Sequence, residues 1–151
     1  MAEDNPGDVD LMREAIMEIG FEVDLEVATD GAMAVSQLTN ANHLVPDLIT
    51  LNFNLPKMQG FEVLSVIKKI ERLKGVPVVM LTSSNAQNDR LLCQTADAYF
   101  VKSGNWAELL KVVGHLRDLI AAHPSNRPTT KDELASDTFW DQKPSVDPTS
   151  P

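Results

Sequence analysis

The sequence predicts an α/β fold built on a parallel sheet, and three observations carry that prediction. Short apolar runs alternate with helical patterns along residues 1–122. One of those runs, Val76–Leu81 (VPVVML), is apolar without alternation, as a strand covered on both faces should be. The chain has 151 residues, 43% of them hydrophobic, which is enough to bury a core without disulfide staples.

The elements follow in order. Pro6-Gly7-Asp8 opens a helix in which Leu11, Ala15, Ile16 and Ile19 recur at helical spacing, and Gly20 ends it. Asp24–Ala28 (DLEVA) reads as a strand, closed by a turn at Asp30-Gly31. Ala32–Leu38 is a second helix, and Asp47–Leu51 (DLITL) a strand preceded by Pro46. Gly60–Arg72 is a helix with Val63, Ile67 and Ile70 on one face. After the strand Val76–Leu81 comes a short helix, Asn85–Thr95, and then a strand, Ala98–Val101. Asn105 caps a last helix to Ala122, with Leu109, Leu110, Val113, Leu116 and Ile120 inward. No strand is legible before the first helix.

From His123 onward the composition changes. The segment holds five prolines, many Ser and Thr, and scattered charge, and reads as a disordered tail over 123–151. Within it, Lys131–Trp140 could form a turn of helix. The expected organisation is one domain over 1–122 followed by that tail.

Charge and cysteine content exclude several functions. With 22 acidic and 13 basic residues the formal net charge is -9, which opposes general attraction to nucleic acid or anionic membrane. The small basic group Lys68, Lys69 and Lys74 reads as a solvated face. A single cysteine, Cys93, allows neither an internal disulfide nor a multi-cysteine zinc site, and in an apolar stretch it reads as buried and inert. His43, His115 and His123 lack ligand spacing. No apolar run approaches the roughly 20 residues of a membrane span, and the acidic N-terminus lacks a signal-peptide pattern. The simplest compartment is the cytoplasm.

Parallel sheets place functional groups where strands end at their carboxyl edges. Asn52 follows one strand, Thr82 ends another, and Lys102 follows the last, while Glu3-Asp4 opens the first helix. Paired acids suit Mg²⁺, which prefers oxygen ligands. A lysine and a hydroxyl suit a phosphoryl group. Each residue alone has an ordinary reading: acids complement a helix start, and Asn52-Phe53-Asn54 is turn chemistry.

Taken together, the residues resemble the receiver domain of two-component response regulators. The matching pieces are Glu3-Asp4-Asn5-Pro6, the loop Asn52 to Gly60, Leu81-Thr82-Ser83 and Ala98-Tyr99-Phe100-Val101-Lys102. Glu3 to Asp8, with Asn54-Leu55-Pro56, looks most like the single-domain receivers associated with phytochrome-type histidine kinases, which implies a response regulator made of a receiver domain only. The resemblance implies a flavodoxin-like, doubly wound sheet of strand order 2-1-3-4-5, with its first strand missing from this chain. It implies that Glu3, Asp4 and the backbone carbonyl of Asn54 hold Mg²⁺. Asn52 would stand at the phosphoacceptor position, and Thr82, Tyr99 and Lys102 would be the switch and phosphate-contact residues. It also implies a sensor histidine kinase or other signalling protein as partner, and a homodimer through the fourth helix, last strand and last helix.

Four departures bear on function. Position 52 carries an amide where the family has its nucleophilic carboxylate. The first strand is absent, so a start upstream of Met1 is expected. Ser103 follows Lys102 where the family usually has proline, and the Thr82–Lys102 segment is about two residues short, judged against the family's elements. The expectation is a phosphorylation-incompetent pseudo-receiver with Mg²⁺ weak or absent, not an enzyme. The alternatives are a conventional phosphoaccepting receiver and a flavodoxin-like cofactor binder. The first would need Asp47, at the wrong end of its strand. The second lacks a glycine-rich phosphate loop.

Overall fold

The computed structural model describes residues 1–124. The expected tail, with Lys131–Trp140, lies outside the described residues from 125 onward.

The chain runs α1 (Pro6–Glu18), α2 (Gly31–Thr39), β1 (Ile49–Leu51), α3 (Gly60–Ile67), a 3-10 turn (Glu71–Leu73), β2 (Val78–Thr82), α4 (Gln87–Leu92), β3 (Ala98–Val101) and α5 (Trp106–Ala122). The sheet is parallel in the order β1-β2-β3. Leu51 lies opposite Met80, and Met80 opposite Tyr99. All residues of β1 and β2 are buried, as continuous apolar strands between two helical layers should be. One layer packs α2 and α3 over Leu51, Phe53 and Met80. The other packs α1 and α5 over Val79 and Leu81.

The caps match the residue chemistry. The Asn5 side chain accepts from Gly7 N, Asp30 from Met33 N and Asn105 from Glu108 N, each satisfying a free helix-start donor.

The structure corrects several expectations. The first strand position is not bare: Ala2 forms single parallel bridges to both Ala28 and Leu51. Together with the three-stranded sheet, these bridges give the expected order 2-1-3-4-5. The strand expected over Asp24–Ala28 shrinks to the Ala28 bridge, because only Ala2 offers it a partner and a strand needs a ladder. The helix expected to reach Arg72 ends at Ile67 and resumes as the 3-10 turn. The strand expected from Val76 starts at Val78, since Pro77 has no N–H to give the ladder. On α1 the buried stripe is Val9, Met12 and Ala15, while Leu11 and Met17 face outward. Cys93 is free and buried, as expected.

Candidate functional site

At the carboxyl ends of the strands, the chain start, the β1–α3 loop and the residue after β3 meet. Asn52 N donates to Ala2 O (3.0 Å), which fixes the β1 end beside Glu3. Gly60 N donates to Phe53 O at 2.7 Å, folding the loop back onto α3. A Cβ on Gly60 would stand 1.9 Å from Asn52 O, so only glycine allows this approach. Lys57 adopts φ 66° in the same loop and pairs with Asp30 at 3.1 Å.

The Asn52 side-chain nitrogen faces three oxygens: Glu3 Oε1 at 3.3 Å, Asp4 Oδ1 at 3.5 Å and Asn54 O at 3.2 Å. Those acceptors dictate which way the amide is turned. Its oxygen, Oδ1, is buried with no hydrogen-bond partner among the described residues. Glu3 is buried, yet both its carboxylate oxygens are used. Oε1 also accepts from Asn5 N at 3.0 Å, and Oε2 accepts from Lys102 Nζ. Lys102 also reaches Asp8 Oδ2 at 2.9 Å, so one ammonium joins two carboxylates. A buried carboxylate is tolerable because it is paired in this way.

Thr82 and Tyr99 form an adjoining group. Thr82 is fully buried, and its Oγ1 accepts from Ser84 N at 3.2 Å. Tyr99 Oη donates to Ser84 O at 2.9 Å, and the Arg90 guanidinium lies 4.7 Å from the centre of the Tyr99 ring. The Ser84 hydroxyl donates to Asp89. Ser84 therefore links Thr82 to Tyr99. Burial is the main reason the Tyr99 phenol titrates above its ordinary range.

The structure brings Glu3, Asp4, Asn52, the Asn54 carbonyl and Lys102 into one cluster. Thr82 and Tyr99 lie in the neighbouring group, without a hydrogen bond to Asn52. Sequence reasoning missed Asp8, Ser84 and Arg90. Asp8 carried no signal of its own, because its partner, Lys102, is 94 residues away. Ser84 lies in the loop after β2 and Arg90 on α4, and they meet Tyr99 only through the tertiary fold.

The oxygens around Asn52 Nδ2 are the kind a hard divalent cation takes, and the unpartnered Asn52 Oδ1 is a further oxygen of that kind. The residues therefore fit such a cation in ligand type. Among the described residues no group of three or more His, Cys, Asp or Glu could hold a metal. A cation here would depend on two carboxylates, neutral oxygens and water.

The pattern of the response regulator receiver domain matches residues 1–114. The chain is 34% identical over 119 residues to the response regulator Rcp1 of Synechocystis sp., covering 75% of this chain and 81% of that one. It is 32% identical over 123 residues to a probable methanogenesis regulatory protein, FilR2, of Methanothrix harundinacea, covering 78% and 79%. The structure resembles that of the phosphorylated cyanobacterial phytochrome response regulator RcpA, with TM-score 0.70 and 34% identity over 80% of this chain and 91% of that one. It also resembles the Mn²⁺-bound form of Rcp1, with TM-score 0.69 and 33% identity over 78% and 88%. Among the described residues, no helix is long and apolar enough to cross a membrane.

Proposed function

The chain belongs to the response regulator receiver domain family of two-component signalling, and from that premise we propose that it signals through protein contacts without being phosphorylated. Asn52 stands at the phosphoacceptor position. An amide offers no anionic oxygen to attack phosphorus.

The observation that carries this reading is the position of Asn52 Nδ2 among Glu3, Asp4 and the Asn54 carbonyl. Its N–H groups give those oxygens the partners that a cation would otherwise supply. Lys102, held by Glu3 and Asp8, supplies the positive charge nearest these acids. The Asn52 amide and Lys102 thus give the acids polar partners in the absence of phosphate. A state with no differential ligand has nothing to shift it.

Glu3, Asp4 and the Asn54 carbonyl would hold Mg²⁺ weakly. When bound, the cation would neutralise the acids and attract phosphoryl oxygens. Thr82 and Lys102 are the phosphate-contact equivalents, and Tyr99 is the switch aromatic, pinned by Ser84 and Arg90. The relative RcpA is described as a phytochrome response regulator, which supports a sensor histidine kinase of that type as partner.

Homodimerisation through α4, β3 and α5 is the proposed assembly. Leu91, Leu92 and Trp106 are exposed on those elements, and a two-fold contact would cover them. Val112 and Leu119 of α5 are not spare for it, because both pack against the α1–α5 core.

Beryllofluoride with Mg²⁺ tests the reading, since it mimics a phosphoryl group only on a carboxylate. Amide resonances of Thr82, Tyr99 and Lys102 should stay in place in this chain and move in Asn52→Asp. Movement in the unaltered chain would overturn it.

A further inference from the structure

The helix α4 buries none of its own residues. Its inner side meets the domain through Asp89, which accepts from the Ser84 hydroxyl, and through the neighbouring Cys93, which is buried. Leu91 and Leu92, its last two residues, are 57% and 52% exposed. Arg90 stands beside them, stacked on Tyr99 and in no ion pair among the described residues. This outer face borders β3, the edge of the sheet away from the chain start.

We propose that the segment Asp137–Asp141 of the same chain docks on the outer face of α4. Phe139 and Trp140 cover Leu91 and Leu92, and the flanking aspartates pair with Arg90. The docking is independent of the reading of the phosphate site. The same leucines serve the proposed dimer, so the dimer forms by displacing the segment. That consequence rests on the dimer reading; the docking does not.

Composition selects the occupant. From residue 125 onward, Phe139-Trp140 is the only adjacent pair of large apolar side chains, and acids stand at 137 and 141. Aromatic side chains carry much of the contact energy of such a surface. The stretch 125–151 holds five acids against three bases, which suits a face whose free charge is Arg90.

Topology brings the segment within reach. β3 runs parallel to β2, so the helices on either side of it run back the other way. α4 and α5 therefore both end where β3 begins. Arg90 lies on Tyr99, and His115 of α5 stacks on Phe100 at 5.6 Å. Adjacent strand residues face opposite ways, so the two helices flank β3. A chain leaving α5 has only to round that edge. The 14 residues between Pro124 and Phe139 span up to about 50 Å, and tethering makes the contact intramolecular. Charge excludes the other apolar patch beside a cation. Met17 lies one turn from Arg13 on α1, but Asp10, Glu14 and Glu18 are exposed on the same helix and repel an acidic segment.

Trp106→Phe leaves Trp140 as the one tryptophan of the full chain. In dilute solution, where light scattering shows a monomer, acrylamide should quench Trp140 several-fold more slowly than in a synthetic peptide of residues 131–145. Arg90→Glu and Leu92→Asn, both on exposed side chains, should each restore peptide-like quenching without moving the melting midpoint. Combining Arg90→Glu with Asp137→Lys and Asp141→Lys should re-establish protection. The docking is overturned by peptide-like quenching in Trp106→Phe alone, by protection that survives either variant, by a charge exchange that fails to protect, or by protection lost on further dilution. For the displacement, Phe139→Ser with Trp140→Ser should dimerise at several-fold lower concentration than the unaltered chain. Equal concentrations contradict the displacement. Monomers at every concentration remove the dimer reading and the displacement with it, while the docking stands or falls on the quenching.

Discussion

Asn52 Nδ2 lies 3.3 Å from Glu3 Oε1, joining the end of β1 to the first residues of the chain. That hydrogen bond puts a neutral donor against two acids. Replacing the donor by a third carboxylate changes what the cluster binds. Asn52→Asp should raise Mg²⁺ affinity roughly tenfold or more, because ligand charge sets affinity for a hard cation. Calorimetric titration of both proteins checks this, and equal affinities would remove residue 52 from the cation site.

Lys102 is the only cation paired with the buried Glu3 carboxylate among the described residues. Lys102→Ala should destabilise the fold by about 3 kcal/mol, the typical effect of leaving a buried charge alone. Asp8→Ala should cost about 1 kcal/mol or less, since the Asp8 side chain is about one-third exposed. Denaturant midpoints should show that order.

Glycines separate close approach from mere flexibility. Gly60→Ala would set a Cβ 1.9 Å from Asn52 O, and Gly31→Ala would set one 1.9 Å from Met58 O. Each should lower the melting midpoint by about 10 °C or more, as backbone must move. Gly114→Ala, in α5 with nothing within 4 Å, should instead stabilise by about 0.5–1 kcal/mol. Thermal scans of the three variants check the contrast.

The α/β class, the three paired strands, the last helix with its Asn105 cap and the cluster of Glu3, Asp4, Asn52 and Lys102 were all legible in the sequence. Apolar runs and strand ends record them directly. The fate of Asp24–Ala28 was not legible, because a strand's existence depends on its neighbour and only Ala2 pairs with it. Leu11 misled for a related reason: helical spacing fits two adjacent stripes, and packing against α5 selected Val9, Met12 and Ala15. Asp8 was hidden because its partner, Lys102, is 94 residues away.

Burial, followed by the nearby Asp89, pushes the Cys93 thiol from 9.0 up to about 11. In the unfolded chain the thiol loses its proton near pH 9, while the folded chain retains it. Between about pH 9 and 11 the unfolded state therefore binds fewer protons, and stability falls as pH rises. Cys93→Ala should show a flatter decline across that window, measured by denaturant midpoints. Alkylation of native Cys93 at pH 8 should be slow for the same reason.

The exposed Leu91 is the cleanest probe of the proposed dimer. Light scattering should give a dimer for the unaltered chain and a monomer for Leu91→Arg, with or without phosphodonor. Monomers in both cases would leave contact with a different protein as the route of signalling.

The central claim is that this receiver has no phosphoacceptor. The direct measurement is intact-protein mass after incubation with acetyl phosphate and Mg²⁺, with Asn52→Asp run in parallel. The expected result is an unchanged mass for the chain and the gain of one phosphate for Asn52→Asp. A phosphate on the unaltered chain would contradict the account.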